Sequence, residues 1–239
     1  MMKWKTSISN SKDGEVYVRG EKLLDLIGKM SFTDAIFFVL RGVKPTEAET
    51  GLLDVILVSA INHGLEAPSA FVPRIIASTG NTVNTALAAG VMAIGYHHGG
   101  AVEGCMRMLM SDKSAKQIVE ESIKKDERVQ GYGHKVYKDA DPRAGKIGEA
   151  LKLAGGKSKY WDLAIDIQKE LEKQTGKKLP LNIDGAMAAV LCELGFDPIQ
   201  GKAFFALARF PTMMANIEEE LKNEKPYRRL DESDIEYVG

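Results

Sequence analysis

Beyond a short alternating stretch near the start, apolar positions recur every three or four residues, the spacing that lines one face of a helix. The alternating stretch, Glu15-Val16-Tyr17-Val18, predicts a strand or hairpin closed by Arg19-Gly20. Caps mark off the helices that follow. Ser31 with Asp34 opens one that closes at Arg41-Gly42, and Thr46 with Glu49, after Pro45, opens a second running through Leu52, Ile56 and Ala60 to Gly64. A third is predicted over 68–79, stopped by Gly80, and Asn81 is the predicted cap of a fourth that ends at Gly95. Ala86, Ala88, Ala89 and Gly90 on that fourth helix suit close helix packing. Residues 101–110 follow, with Met106, Met108 and Met110 as adaptable core. Ser114 with Gln117 caps a charged helix to about Val129.

Residues 131–143 are predicted as a loop. Pro142 then starts a helix ending at Gly155-Gly156, and another over 158–174 stops at Gly176. Lys177-Lys178 reads as a solvated turn. Positions 184–194 are almost uniformly apolar, which predicts a buried helix. The last long helix runs from Pro198 to about Leu221, and the charged tail from Asn223 reads as irregular and exposed. With no strand series, internal repeat or low-complexity tract, the predicted class is all-α.

Bulk composition narrows the function more than the fold. A chain of 239 residues can bury one large core or two modest ones. Its 32 basic and 33 acidic residues leave a formal charge of -1, so nothing draws it to nucleic acid or an anionic membrane. No window has the apolar length of a membrane span, and Met1-Met2-Lys3-Trp4-Lys5 lacks a signal core, so a cytoplasmic protein is expected. Cys105 and Cys192 lie in apolar helical stretches and read as core thiols; without a CxxC or His-Cys cluster, no metal is expected.

The four histidines carry the candidate chemistry. His97 and His98 sit in Gly95-Tyr96-His97-His98-Gly99-Gly100, His134 ends Gly131-Tyr132-Gly133-His134, and His63 follows a helix end. Histidine exchanges protons near neutral pH, and glycines bring backbone amides close to a ligand. The alternative for His134 is a turn with a solvent histidine. Lys135 and Lys138 add positive charge suited to a phosphate-bearing ligand. Asp141-Pro142-Arg143 reads as a helix start with Asp141 as N-cap. Arg143 in that first turn opposes the helix dipole, which points to binding a carboxylate in bidentate fashion; the alternative is a surface arginine. Adjacent side chains diverge, so one of His97 and His98 faces a site. Asp184 precedes an apolar helix, where it is either a plain N-cap or a carboxyl whose pKa burial raises into the range of a carbon base.

Together these motifs resemble the citrate synthase superfamily. The segment GYGHKVYKDADPRA, 131–144, matches its Gly-Tyr/Phe-Gly-His loop followed by Asp-Pro-Arg, HHGGAVE, 97–103, resembles its HGGAN-type segment, and NIDGAMAAVL, 182–191, resembles its Asp-bearing helix. Val18-Arg19-Gly20 with 32–42 resembles its N-terminal element. The resemblance implies a two-domain helical fold that closes over its substrates: a large, oligomerising domain of 1–98 plus 195–239 and a small CoA-binding domain of 99–194. It implies that His98 hydrogen-bonds the thioester oxygen of the acetyl-CoA enol. Asp184 would move the proton on the methyl carbon, and His134 the proton on the oxaloacetate carbonyl or citryl hydroxyl. His63, Arg143 and Arg209 would hold carboxylates. Arg228, or Arg229, would match an arginine that reaches a neighbouring subunit. Gly131, Tyr132, Gly133 and Lys138 would lie along CoA, a substrate rather than a resident cofactor.

Two departures bear on activity. Ala60 stands at the first histidine of the family's segment before Asp-His-Glu, and Gly64 at the Glu. Only about twenty residues separate Gly42 from His63, where full-length citrate synthases carry several more helices. The resulting shortened large domain is similar to that of citryl-CoA lyases and of the citryl-CoA-cleaving part of ATP-citrate lyase. The expected activity is therefore retro-Claisen cleavage of citryl-CoA to acetyl-CoA and oxaloacetate, as in the reductive tricarboxylic acid cycle, in a homo-oligomer with a citryl-CoA synthetase as partner. The alternatives are a minimal citrate or 2-methylcitrate synthase and a non-catalytic CoA-binding subunit.

Overall fold

The computed structural model describes residues 3–155 and 158–239; Met1, Met2, Gly156 and Lys157 lie outside the described residues. It opens on a small antiparallel sheet, β1 (Ser9–Lys12), β2 (Glu15–Val18) and β3 (Glu21–Lys22), with Ser9 opposite Val18 and Tyr17 opposite Lys22. Both connections put two residues at positive φ, Asp13-Gly14 and Arg19-Gly20, the tight turn that matches strand twist. The predicted strand or hairpin is thus a three-stranded ribbon. Arg19 reaches from it to the next helix and donates to the Val39 carbonyl from Nε and Nη2, at 2.9 and 2.7 Å.

Helices make up the rest. The short α1 (Leu23–Leu26) precedes α2 (Phe32–Arg41) and α3 (Glu47–Ser59). Ser31 with Asp34, and Thr46 with Glu49, form reciprocal capping boxes, and Gly42 takes the left-handed conformation that ends α2. The predicted second helix overruns. It stops at Ser59 rather than Gly64, because the Asn62 side chain accepts from the amides of His63 and Gly64 and so replaces helical bonding with a turn.

Next come α4 (Pro68–Ser78) and α5 (Val83–Met92). Asn81 does not cap α5: its amide donates to Ile76 O and Thr79 Oγ1 and closes α4 instead. The small residues of α5 serve close packing. A Cβ on Gly90 would lie 3.0 Å from Met213 Sδ and 3.2 Å from Pro73 Cγ. The helix α6 (Gly100–Leu109) buries Met106 fully but leaves Met110 exposed at its end. In α7 (Ala115–Lys124) the Ser114–Gln117 box is present, and the helix ends five residues short of Val129, with Asp126 at positive φ.

Then follow α8 (Pro142–Ala154), α9 (Lys159–Thr175), α10 (Ile183–Glu193) and α11 (Gly201–Asn223), the last after a 3-10 turn over Pro198–Gln200. Gly155 and Gly176 are left-handed C-caps. Ser158 makes no cap for α9; the Glu193 carboxylate of α10 accepts from the Tyr160 and Trp161 amides instead. The tail is largely exposed, as expected.

The helix α10 forms the centre. Every side chain from Ala186 to Leu191 is inaccessible to solvent, and the helix packs against α3, α6, α8 and α9. Helices α4, α5 and α11 pack on one another, and α11 also touches α3 and α6. One core of buried residues runs from Phe37 to Met213. Cys105 and Cys192 belong to it as free thiols; burial pushes both pKa values up, that of Cys192 to about 12, so neither is a nucleophile. No helix among the described residues is long and apolar enough to cross a membrane.

Candidate active site

The loop over 131–141 is held against the start of α10 backbone to backbone. Gly131 has φ +89°, and a Cβ there would stand 2.7 Å from Gly185 Cα; a Cβ on Gly185 would stand 2.5 Å from Gly131 O. Asn182 N donates to Gly131 O, Gly133 N to Pro180 O, and the Asn182 side-chain amide to Gly133 O, at 3.0, 2.8 and 2.8 Å. Glycine is required at 131 and 185 by this approach, and the approach fixes where His134 emerges.

His134 faces donors. Its Nδ1 accepts from the amides of Val136 and Tyr137, at 3.0 and 3.1 Å, and the Tyr137 ring lies against it with centroids 4.8 Å apart. Those amides place a ring hydrogen on Nε2, the one ring nitrogen left for a ligand. Arg143 Nη2 approaches Nε2 at 3.3 Å. An oxygen seated between the two would accept from both. His63, 80 residues away on the loop after α3, completes the corner: its Nδ1 is 3.4 Å from Arg143 Nη1, and its ring centroid is 5.8 Å from that of His134.

Arg143 grips a carboxylate in bidentate fashion, but the carboxylate is the protein's own. Nε and Nη2 donate to Asp141 Oδ1 and Oδ2 at 2.9 and 2.7 Å. Only Nη1 and the outer edge of Nη2 remain for a ligand. Asp141 is the N-cap of α8, as expected, and is buried. Burial would raise its pKa, but the hydrogen bonds and charge of Arg143 hold it below the usual carboxylate range.

His97 and His98 diverge. His97 stacks edge-on to Tyr96 at the surface, whereas His98 is half-buried with its ring edge-on to Phe205. His98 Nε2 lies 2.9 Å from Ser69 Oγ. Burial, then the charge of Arg209, then His63 lower the pKa of His98, which keeps the ring neutral at physiological pH. Burial, followed by Arg209 and Arg143, acts on His63 in the same direction.

Arg209, on α11, is 5% exposed and lies over the Phe205 ring with its guanidinium carbon 4.8 Å from the centroid. Its Nε is buried without a hydrogen-bond partner among the described residues. Burial lowers its pKa to about 10, so it stays charged at neutral pH. Asp184 sits in the first turn of α10, but Asn182 is the cap, accepting from the Asp184 and Gly185 amides at 3.0 and 3.2 Å. The plain N-cap alternative for Asp184 therefore falls away. Burial raises its carboxyl pKa, against the opposing charges of Arg209 and Arg143.

Two residues expected along CoA or substrate have their side chains engaged by the protein itself, although Tyr132 also lines the cleft beside the loop. The Tyr132 hydroxyl donates to the Ala164 carbonyl at 2.8 Å and the ring packs on the core, so its side chain is committed to the fold. Arg228 is bound to Glu220 at 2.6 and 2.8 Å and to Glu224 at 3.2 Å. Glu220 lies three turns beyond Arg209 on α11, about 16 Å along the axis. Within one chain Arg228 thus stands apart from the histidine cluster, and Arg229 lies over Tyr227. Lys138 Nζ donates to His134 O at 3.2 Å. Beside the loop, a cleft of about 910 Å³ is lined by Gly133, His134, Arg128, Lys135, Lys177 and Leu179 among others. Ser69 and the anchoring role of Asp141 escaped the sequence: a serine in a helix's first turn carries no signal of a distant histidine.

The family model described as citrate synthase, C-terminal domain, matches residues 17–230. The chain belongs to the citrate synthase family. Citrate synthase 2 of Bacillus subtilis is 32% identical over 198 residues, covering 80% of this chain and 52% of that protein. The chain thus spans about half the length of the curated citrate synthases it matches. The solved citryl-CoA lyase of Hydrogenobacter thermophilus is 44% identical with a TM-score of 0.95, and the match covers 99% of this chain and 94% of that one. ATP citrate lyase of Methanothrix soehngenii, in complex with citrate and coenzyme A, shares the fold, with a TM-score of 0.87 at 20% identity over 42% of its chain.

Proposed function

We propose that this protein is a citryl-CoA lyase, cleaving citryl-CoA to acetyl-CoA and oxaloacetate. The observation that carries the reading is likeness over the whole chain: 44% identity and a TM-score of 0.95 to a citryl-CoA lyase across 99% of this chain, against 32% identity to the synthase of Bacillus subtilis over 80% of it. The site chemistry agrees with it. Two guanidinium groups, one of them buried with its Nε unpartnered among the described residues, suit a ligand carrying several carboxylates.

Arg143, Arg209 and His63 hold the carboxylates, which turns binding into orientation. The C3 oxygen accepts from His134 Nε2–H and from Arg143, which together stabilise the alkoxide as its proton passes to water and the C–C bond breaks. Neutral His98, backed by Ser69, donates to the thioester oxygen and stabilises the enol of acetyl-CoA. Asp184, its pKa raised by burial, delivers the proton to the enol carbon. The CoA moiety runs along Gly131 and Gly133 with its phosphates toward Arg128, Lys135 and Lys177 of the adjoining cleft, and with Lys138, held on His134 O, on the same loop.

The protein acts in the cytoplasm as a homo-oligomer. Exposed Phe71, Ile75, Met92, Phe210 and Met214 on the mutually packed α4, α5 and α11 provide an apolar face for a second copy, and Arg228 belongs to the neighbour's site. The segments 1–98 with 195–239, and 99–194, move as the two bodies that close over substrate. Its substrate comes from a citryl-CoA synthetase, and its carbon flow fits the reductive tricarboxylic acid cycle.

Purified protein given citryl-CoA, with oxaloacetate followed through malate dehydrogenase and free CoA monitored in parallel, tests the reading. Oxaloacetate without free CoA is expected. Free CoA with citrate would mean a synthase-type hydrolysis, and no turnover a binding role.

A further inference from the structure

We propose that Asp141 is a positioning residue that locks the Arg143 guanidinium and the first turn of α10 into one unit, so that Arg143 and Asp184 meet the substrate in fixed register. The inference rests on the function proposed above. Four hydrogen bonds converge on its two oxygens. Oδ1 accepts from Arg143 N and Nε at 3.0 and 2.9 Å, and Oδ2 from Arg143 Nη2 and Ile183 N at 2.7 and 3.1 Å.

An N-cap needs only one of these bonds. The other three serve the site. Ile183 precedes Asp184, whose own carboxylate makes no hydrogen bond among the described residues, so the backbone of that turn decides where Asp184 points. Asn182 holds the next two amides of the turn, and Asp141 holds the amide of Ile183. On the other side, Arg143 sits at a helix N-terminus, where its charge is opposed by the helix dipole. Without a fixed carboxylate it would turn to solvent. The Asp141 side chain itself is fully inaccessible, so its charge is spent inside the protein on Arg143 and Ile183.

The variant D141N keeps size and one acceptor, but its amide group sets a donor against a donor whichever way it is turned. Citryl-CoA cleavage by D141N should fall about 10²-fold in kcat, the scale of a small misplacement of catalytic groups. The double variant D141N/R143K should lose no more than the worse single variant, because the two act as a unit. The pH profile separates positioning from bulk stability. Asp184 faces Arg209 from α11, Arg143 from α8, Asp141 ahead of α8 and Cys105 from α6. Removing the Asp141 charge while Arg143 remains favours ionised Asp184, so the alkaline limb of cleavage should move to lower pH.

A folded D141N with wild-type kcat and an unmoved limb, or fully additive losses in the double variant, would overturn the proposal. If D141N does not fold, D141E carries the test: it keeps the charge but displaces both partners, so kcat should fall with the limb unmoved, and wild-type kcat would overturn the idea. Oxaloacetate binding by calorimetry reads the Arg143 half without turnover. About tenfold weaker binding to D141N is expected, and equal affinity overturns the proposal. A wild-type protein that does not cleave citryl-CoA speaks against the function alone, and is seen before any variant is made.

Discussion

Ser69 Oγ lies 2.9 Å from His98 Nε2, across 29 residues of sequence, and so fixes which edge of the imidazole faces the centre of the site. Ser69 is buried at the first turn of α4, and Phe205 of α11 packs edge-on to the same ring. Replacing Ser69 by Ala should lower kcat about tenfold with little change in KM, since a donor to the developing enol oxygen acts chiefly in the transition state. Thermal unfolding should shift only by the worth of one hydrogen bond, about 1 kcal/mol. Unchanged kcat in a folded S69A would remove Ser69 from the proposed mechanism.

Asp184 offers opposite predictions for activity and stability. Its pKa is raised in the fold, so the charged form is disfavoured there, and stability is lost as pH rises from the ordinary carboxylate value to the folded one. D184N removes that loss. Melting curves should show the variant more stable than wild type at neutral pH, with the difference closing in acid, where wild-type Asp184 is protonated as well. Citryl-CoA cleavage should fall by about 10²–10⁴-fold, the contribution of a general acid or base. Near-normal turnover would exclude the assigned role.

Arg209 is a buried charge whose Nε has no hydrogen-bond partner among the described residues. Replacing it by Met should leave the fold as stable or more so, because an unpaired buried cation costs free energy that packing does not. Oxaloacetate affinity should drop by 2–5 kcal/mol in rough magnitude, judged from truncated buried charge pairs. Calorimetry and a melting curve on the same preparation check both halves, and a strongly destabilised R209M would show that the guanidinium serves the fold instead.

Gly185 tests the backbone contact that places the histidine loop. A Cβ there would meet Gly131 O at 2.5 Å and Leu181 Cδ1 at 2.6 Å, and the carbonyl cannot yield without moving the loop. G185A should be destabilised by roughly 1–3 kcal/mol, the cost of overpacking, and should lose activity beyond its loss of stability. Gly145, with open space around its Cβ position, is the matched control, and G145A should be stable and active.

Local rules read from the sequence carried well where the chain decides locally. The boxes at Ser31, Thr46 and Ser114 and the glycine ends at Gly42, Gly155 and Gly176 formed as expected, because the capping side chain and the amide it satisfies lie within one turn. Helix ends failed where a side chain outside the helical pattern intervened. Asn62 cut α3 short at Ser59, and Asn81 turned back onto α4 rather than forward onto α5. Ser158 left the start of α9 to Glu193, a residue of another helix that no local pattern connects with it.

The same divide runs through the site. The sequence by itself determined the helical class, the glycine loops, and the residue types able to move protons and bind carboxylates, since these depend on composition, spacing and local backbone freedom. Only the tertiary structure decided that Arg143 is already clasped by Asp141, that Asn182 rather than Asp184 caps α10, that Ser69 backs His98, that Tyr132 points into the core, and that Arg228 lies on Glu220 away from the cluster. Each of these depends on which buried polar group finds which partner. That choice is made by the packing of distant helices, where an unsatisfied donor or acceptor costs more than any local preference supplies.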